Sequence, residues 1–303
     1  MKHTLLFTML VFVLTGCQQV KEVEDVKIKP LAEHVVMIGF DAMGSYSYDK
    51  AEMPVLKDFA SKSAWTLDSR SVLPSSSAVN WASMLMSSSP SMHGYTEWGS
   101  KVPEIPSIAI SQFGKFPSIY TQIEEQLPGA KTAVVYSWDG IIHFLEDQII
   151  DINICTKEDE DLTAQKAAET ILNEKPTFTF VHFDEPDGVG HGAGHDTPEF
   201  YEELKKVDLR LNTILQAVKD AGIEDKTIVI VVADHGGIDK GHGGKTMEEV
   251  RIPIFIKGPG IKVNYNIKSP VIDYDYGATI ARMLGIEAHP AWRGKIIEEA
   301  FVE

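Results

Sequence analysis

Three aspartates and three histidines raise the chemical question. Asp41 closes a hydrophobic run, HVVMIGF, at residues 34–40. Asp187 and His191 lie four apart in DEPDGVGH, directly after TFTFVHF at residues 177–183. Asp234 and His235 end the run TIVIVVA, and His242 follows in GHGG. Singly, each has an ordinary explanation: an Asp after a strand serves a turn or a cap, and an Asp-x-x-x-His pair serves a loop or helix. Together they are the ligand types of hard and borderline divalent ions, zinc first and manganese as the alternative. Six ligands exceed what one tetrahedral site needs, so two divalent ions are the expected count. Such a pair, about 4 Å apart, can activate a nucleophile, hold a phosphoryl oxygen and stabilise a leaving oxygen. Glycines at 236, 237, 243 and 244 let the backbone turn tightly around such a crowded centre.

These residues need elements that bring them together. Strands are expected at 34–40, 132–138, 177–183, 227–233 and 251–257. Helices are expected at 54–64, 79–87 and 162–172, and again around 279–284. A long helix should open with Thr197 as cap and Pro198 in its first turn. Its apolar stripe is Leu204, Val207, Leu211, Ile214, Leu215 and Val218, with Gly222 as the stop. Strands apolar on both faces and separated by helices predict a three-layer α/β/α sandwich with a mainly parallel central sheet. Ligands of such sheets gather beyond the carboxyl ends of the strands, which is where Asp41, Asp187 and Asp234 fall.

The 303-residue chain carries a net charge of −16, which excludes a nucleic-acid polymer as the main partner. An anionic substrate would then need local positive charge, which metal ions can supply. Lys2 and His3 precede an apolar run, TLLFTMLVFVLTG, of signal-peptide length. It ends in L-T-G-C at residues 14–17, which resembles the lipobox of bacterial lipoproteins. That resemblance implies a signal peptide over 1–16, a lipidated Cys17 and a membrane-anchored protein of the cell envelope, in the outer membrane or facing the periplasm or cell surface. Residues 17–33 read as lipidated cysteine and tether, and 34–303 as one folded domain. Cys155 would then be the one remaining cysteine, a small buried or half-buried thiol without a disulfide partner.

A nucleophile is sought in LPSSSAVNWASMLMSSSPSMHG, residues 73–94. A serine at a helix start has backbone N–H groups and the helix dipole beside it, which favours an anion. The same serines at 75–77 could equally be capping that helix.

With these motifs in view, the sequence resembles the alkaline phosphatase superfamily, and within it the type I phosphodiesterase/nucleotide pyrophosphatase branch and small sulfatase-like relatives. The resemblance rests on GFD at Asp41, S-A-V-N at 77–80, P-S-M-H-G at 90–94, EPDGVGH at 185–191, D-H-G at 234–236 and the later His242. It implies the alkaline-phosphatase-like fold and a serine nucleophile, Ser77, that passes through a phosphoserine intermediate. It further implies that Asp187, His191 and His242 hold one zinc, and that Asp41, Asp234, His235 and Ser77 Oγ hold the other. The implied substrate is a small phosphoester, a diester or pyrophosphate before a monoester.

Two departures bear on that assignment. Trp98 stands where the diesterases align an Asn that contacts a phosphate oxygen, which keeps a phosphomonoesterase or phosphotransferase open as the alternative. The interval from His235 to His242 is short, which marks a compact, capless member. Sulfatases need an Arg after the nucleophile motif, and Ser77-Ala78-Val79-Asn80 lacks one. A non-catalytic surface lipoprotein would have lost ligands, and all are present here.

Overall fold

A computed structural model describes residues 28–302. The chain alternates strands and helices. The strands are β1 (His34–Phe40), β2 (Ala64–Arg70), β3 (Thr132–Tyr136), β4 (Ile152–Cys155), β5 (Phe178–Phe183), β6 (Thr227–Val232), β7 (Arg251–Lys257) and β8 (Tyr265–Asn266). The helices are α1 (Ser47–Lys50), α2 (Pro54–Ala60), α3 (Ser77–Met86), α4 (Pro90–His93), α5 (Ile119–Gln126), α6 (Glu160–Glu174), α7 (Asp187–Ala193), α8 (Pro198–Asp220), α9 (Met247–Val250) and α10 (Asp275–Leu284).

The strands form one eight-stranded sheet in the order β4-β3-β5-β1-β6-β7-β2-β8. Pairing is parallel from β4 through β6, antiparallel on both sides of β7, and parallel again for β2 with β8. The three central strands β5, β1 and β6 are buried along nearly their whole length. Such strands must be covered on both faces. Helices α2, α6 and α8 cover one face, and α3, α5 and α10 the other, giving the α/β/α sandwich.

The long helix forms as its pattern requires. Thr197 Oγ1 accepts the Phe200 N–H at 3.3 Å, Pro198 fills the first turn, and Leu204, Val207, Leu211, Ile214 and Val218 are buried. The helix expected over 54–64 is shorter. It stops at Ala60, where Ser63 N bonds Ala60 O at 3.0 Å and Ser63 Oγ returns to Phe59 O. Ala64 then opens β2, whose alternation of buried and exposed residues suits an antiparallel partner of β7. At the end of the stretch read as a tether, Leu31 N bonds Met283 O at 2.8 Å and Glu33 N bonds Lys226 O at 3.0 Å. Residues 1–27, which hold the expected signal peptide and Cys17, lie outside the described residues. Cys155 is half-buried and free. Among the described residues, no helix is long and apolar enough to cross a membrane.

Candidate active site

The parallel register places β1, β5 and β6 side by side, so their carboxyl ends meet. Asp41 extends β1 by one residue, its N–H bonded to Phe183 O at 3.0 Å. Its carboxylate is buried and divided between two sets of partners. Oδ1 lies 3.2 Å from His235 Nε2 and 3.4 Å from Ser77 Oγ. Oδ2 accepts from Trp81 Nε1 at 3.1 Å and lies 3.3 Å from His182 Nε2. Trp81 reaches it across β1 because residue 39 is glycine; a Cβ there would overlap the indole. Asp234 and His235 continue β6. Asp234 Oδ1 accepts the Ala42 N–H at 3.2 Å, while Oδ2 faces His235 Nε2 at 3.3 Å.

Ser77 is the first residue of α3. The helix is capped by the backbone of Ser76 with no side-chain cap bond. Ser75 Oγ donates to Gly244 O at 2.9 Å, and Ser76 Oγ has no partner. None of the three serines caps the helix through its hydroxyl. Ser77 Oγ instead points into the cluster, 3.3 Å from His235 Nε2. Asn80 braces the loop that delivers it: its Oδ1 accepts the Val72 N–H at 2.8 Å, and its Nδ2 donates to Ser76 O at 2.9 Å.

The second group stands further out. Asp187 starts α7, and its Oδ2 lies 3.2 Å from His191 Nε2, one turn along. His242 comes from the glycine-rich loop after β6. Its Nε2 lies 3.1 Å from His191 Nε2 and 3.7 Å from Asp187 Oδ1, and its ring stacks on His235 at 4.0 Å between centroids. All six expected ligands and Ser77 therefore meet at one edge of the sheet. Donor atoms converge in the triples Asp41–Asp234–His235 and Asp187–His235–His242, so His235 reaches toward both groups.

Sequence reasoning passed over His182, Asp184, Trp81 and His195. Asp41, His182 and Asp184 form a third close triple. The available signal was a lone imidazole inside the Phe-rich strand β5, where every residue is buried. His195 is buried between the ligand segments: a Cβ on Gly190 or on Gly237 would overlap its ring. His93 of the P-S-M-H-G motif stays out of the cluster. Its Nε2 meets Ser83 Oγ at 3.0 Å, and burial pushes its pKa down to about 3, so it is a neutral packing residue.

The electrostatics of the cluster are unbalanced. Burial works to raise the Asp41 pKa, yet the hydrogen bonds from His182 and His235 hold it well below the usual carboxylate range. Burial and the Asp41 charge push Asp234 well above that range. Asp184 is pushed to about 8 by burial and then by Asp41 and Asp187. Burial would lower His235, but the charges of Asp234 and Asp41 raise it to about 10. The hydrogen bond to Asp187 raises His191 to about 9. The buried oxygens Asp187 Oδ1 and Asp234 Oδ2 have no hydrogen-bond partner. Buried carboxylate oxygens left without a donor are costly. Crowded carboxylates, converging imidazoles and two orphaned oxygens fit divalent cations.

The sequence profile of the type I phosphodiesterase / nucleotide pyrophosphatase family matches residues 35–243, more than half of the chain. The chain belongs to this family. Family member 1 of the ectonucleotide pyrophosphatase/phosphodiesterases from Mus musculus is 23% identical over 194 residues, which are 61% of this chain and 21% of that protein. GPI ethanolamine phosphate transferase 1 of Mus musculus is 31% identical over 109 residues, 35% of this chain and 12% of that protein. The chain thus spans about a fifth or less of the curated relatives it matches. In fold it is similar to murine ectonucleotide pyrophosphatase/phosphodiesterase 5, solved as an inactive variant with AMP, with a TM-score of 0.73 at 14% identity, covering 87% of this chain and 97% of that one. A 2-O GAG sulfatase gives a TM-score of 0.74 at 14% identity, covering 88% of this chain and 73% of that one.

In this family member a cavity of about 410 Å³ opens beside the outer group, lined by Pro74, Ser76, Trp98, His191 and His242. Trp98 forms one wall and stacks on Trp138 at 6.4 Å between ring centroids. Trp98 is thus a wall of the cleft beside His191 and His242.

Proposed function

We propose that the chain is a two-metal hydrolase of small phosphoric esters, of the phosphodiesterase/nucleotide pyrophosphatase type, with Ser77 as nucleophile. The observation that carries this reading is the position of Ser77 Oγ. It sits at the amino end of α3 and within 3.3–3.4 Å of His235 Nε2 and Asp41 Oδ1. Asp41, Asp234 and His235 would hold one ion with Ser77; Asp187, His191 and His242 would hold the other, with zinc as the preferred metal. When bound, the ions supply positive charge that favours the serine alkoxide and a negative leaving oxygen.

The protein's own part is positional. Trp81 and His182 hold Asp41 Oδ2, so that Oδ1 stays turned toward Ser77. The first N–H groups of α3 offer donors to the phosphoryl oxygens. Ser77 Oγ, its proton lost to solvent, bonds to phosphorus as the P–O bond to the leaving alcohol breaks. Water then cleaves the phosphoserine and restores Ser77. Asn80 keeps the loop that carries the serine in place through both steps.

One observation favours a second reading, a phosphomonoesterase or phosphotransferase: the indole of Trp98 offers no side-chain amide beside the His191–His242 cleft. The test is turnover of bis-p-nitrophenyl phosphate beside p-nitrophenyl phosphate, before and after zinc loading. Zinc-dependent turnover with the diester ahead is expected; a clear monoester preference establishes the second reading, and no turnover of either sinks both. We also propose anchoring to the cell envelope through a lipid on Cys17. Membrane fractionation of Cys17→Ser against the wild type checks it, and recovery of both in the soluble fraction overturns it.

A further inference from the structure

Twelve large hydrophobic side chains stand exposed among the described residues, and eight lie on the segments 71–76, 97–115 and 236–248 at the carboxyl edge of the sheet. Five of them, Trp98, Val102, Ile105, Ile108 and Ile110, fall within one loop; Val102 and Ile110 are 69% and 68% exposed. Leu73 and Ile238 stand on the loops that deliver Ser77 and His242. The apolar surface is continuous with the site. Trp98 walls the cleft with His191 and His242 and stacks on Trp138. Trp138 leads directly into the turn Asp139–Phe144, whose Ile142 lines a second cavity of about 560 Å³ with Val102, Ile105 and Ile110. Soluble proteins seldom leave such a contiguous patch without a partner.

Charge identifies the partner. The chain as a whole carries −16. On the rim segments 71–76, 97–115 and 236–248, Lys101, Lys115, Lys240 and Lys245 offset Glu97, Glu104, Asp239 and Glu248. Glu104 and Lys115 are both turned inward, Glu104 accepting the Thr96 N–H at 2.7 Å and Lys115 Nζ donating to His143 O at 2.6 Å, so the remaining rim charges still balance. A neutral, aliphatic rim with a tryptophan, on an otherwise acidic body, suits a surface that is apolar beneath and carries no net charge.

We propose that this rim docks on a zwitterionic lipid bilayer, so that the site takes a phosphoester head group presented at the membrane surface. This rests on the phosphoester reading above. The loop 97–115 enters the interfacial layer and the cleft faces the head groups.

The experiment adds full-length protein to phosphatidylcholine vesicles with brominated acyl chains and reads tryptophan quenching, with Trp98→Phe as the reference. The wild type should lose most of the emission that Trp98 contributes, a face-specific signal that an anchor elsewhere does not produce. The pair Ile108→Asp and Ile110→Asp should weaken that quenching by about fivefold or more, since charges oppose insertion. The same pair should leave soluble bis-p-nitrophenyl phosphate turnover within about twofold, while turnover of an acyl-chain p-nitrophenyl phosphodiester in vesicles falls about tenfold, a step of ~1.4 kcal/mol. Absence of Trp98-specific quenching overturns the proposal. So does an equal loss on soluble and vesicular substrates, or a self-association that the two aspartates abolish, which would make the rim a protein interface. Trp98 quenching by a wild type that turns over no soluble ester would instead sink the phosphoester reading and leave the docking surface standing.

Discussion

The two ligand groups differ in what holds them. Asp41, Asp234, His235 and Ser77 are buried at the ends of β1 and β6 and the start of α3. Strand ladders, an indole and a backbone N–H fix them. Asp187, His191 and His242 sit on a seven-residue helix and a glycine loop, and the His191 side chain is 47% exposed. The inner group is assembled by the sheet before any ion arrives. The outer group is held by two backbone carbonyls, Lys240 O at 3.0 Å from His191 Nδ1 and Ser75 O at 3.2 Å from His242 Nδ1, and by contacts among its own imidazoles and carboxylates. Order in one cluster can thus come from the sheet on one side and from a short helix and a loop on the other.

The harshest test of that contrast is Ser77→Ala. It should lower turnover by a factor on the order of 10³ or more, with folding and metal content kept, because the proposed nucleophile is lost while the inner scaffold stays. Ser75→Ala and Ser76→Ala should each cost less than about tenfold, a cap-sized effect. If Ser77→Ala keeps more than about a tenth of the activity, a barrier step under ~1.4 kcal/mol, the inner group does not carry the nucleophile.

Ligand deletions come next. His191→Ala should reduce bound zinc from two to one per chain and turnover by at least about 100-fold, the upper range for loss of a metal partner. Asp234→Ala should empty the inner position and leave the outer. Elemental analysis decides it: equal metal loss in both variants would erase the distinction between the groups.

Chelation should act unevenly. Hydrogen exchange should rise in 187–195 and 236–246 and stay low at Asp41 and along α3, since only the outer segments depend on the ion for order. Reloading at about 1,000 times the dissociation constant should return about 4 kcal/mol of stability. Uniform deprotection would show that the sheet does not preassemble the inner group.

The smallest effect comes from a buried carboxylate outside the site. Asp273 is fully buried, its Oδ1 lacks a partner, and burial pushes its pKa well above the ordinary value. A raised carboxyl pKa gives stability that is full below the unfolded value near 4 and fades as pH rises toward the folded one. Asp273→Asn should flatten that decline above about pH 4 without changing zinc content. Thermal melts across pH, with and without zinc, check it; a zinc-dependent slope would tie Asp273 to the metal groups.

The fold was legible because β1, β5 and β6 are apolar on both faces and must be sandwiched. The convergence of the six candidate ligands was legible because they follow strand ends and match a family's motifs. The end of α2 was not, because Pro54 to Ala64 keeps helical spacing through the Ser61–Ser63 turn that breaks it. His182 and Trp81 were not, because they act on Asp41 from a neighbouring strand and a helix, and no local spacing encodes that approach. His195 shares that fate: what makes it matter is the absence of side chains at 190 and 237.

That arrangement has an inherited consequence. Gly190 belongs to the segment with Asp187 and His191, and Gly237 to the segment with His235 and His242. Both are bare so that one imidazole can lie between them. The three positions form a single unit of variation. A lineage that gains a methyl group at either glycine must shrink residue 195 in the same step, after which the second glycine is released from constraint. Aligned descendants should therefore keep Gly190, His195 and Gly237 together or exchange them together, and directed evolution of this chain should find a side chain at either glycine only beside a smaller residue 195.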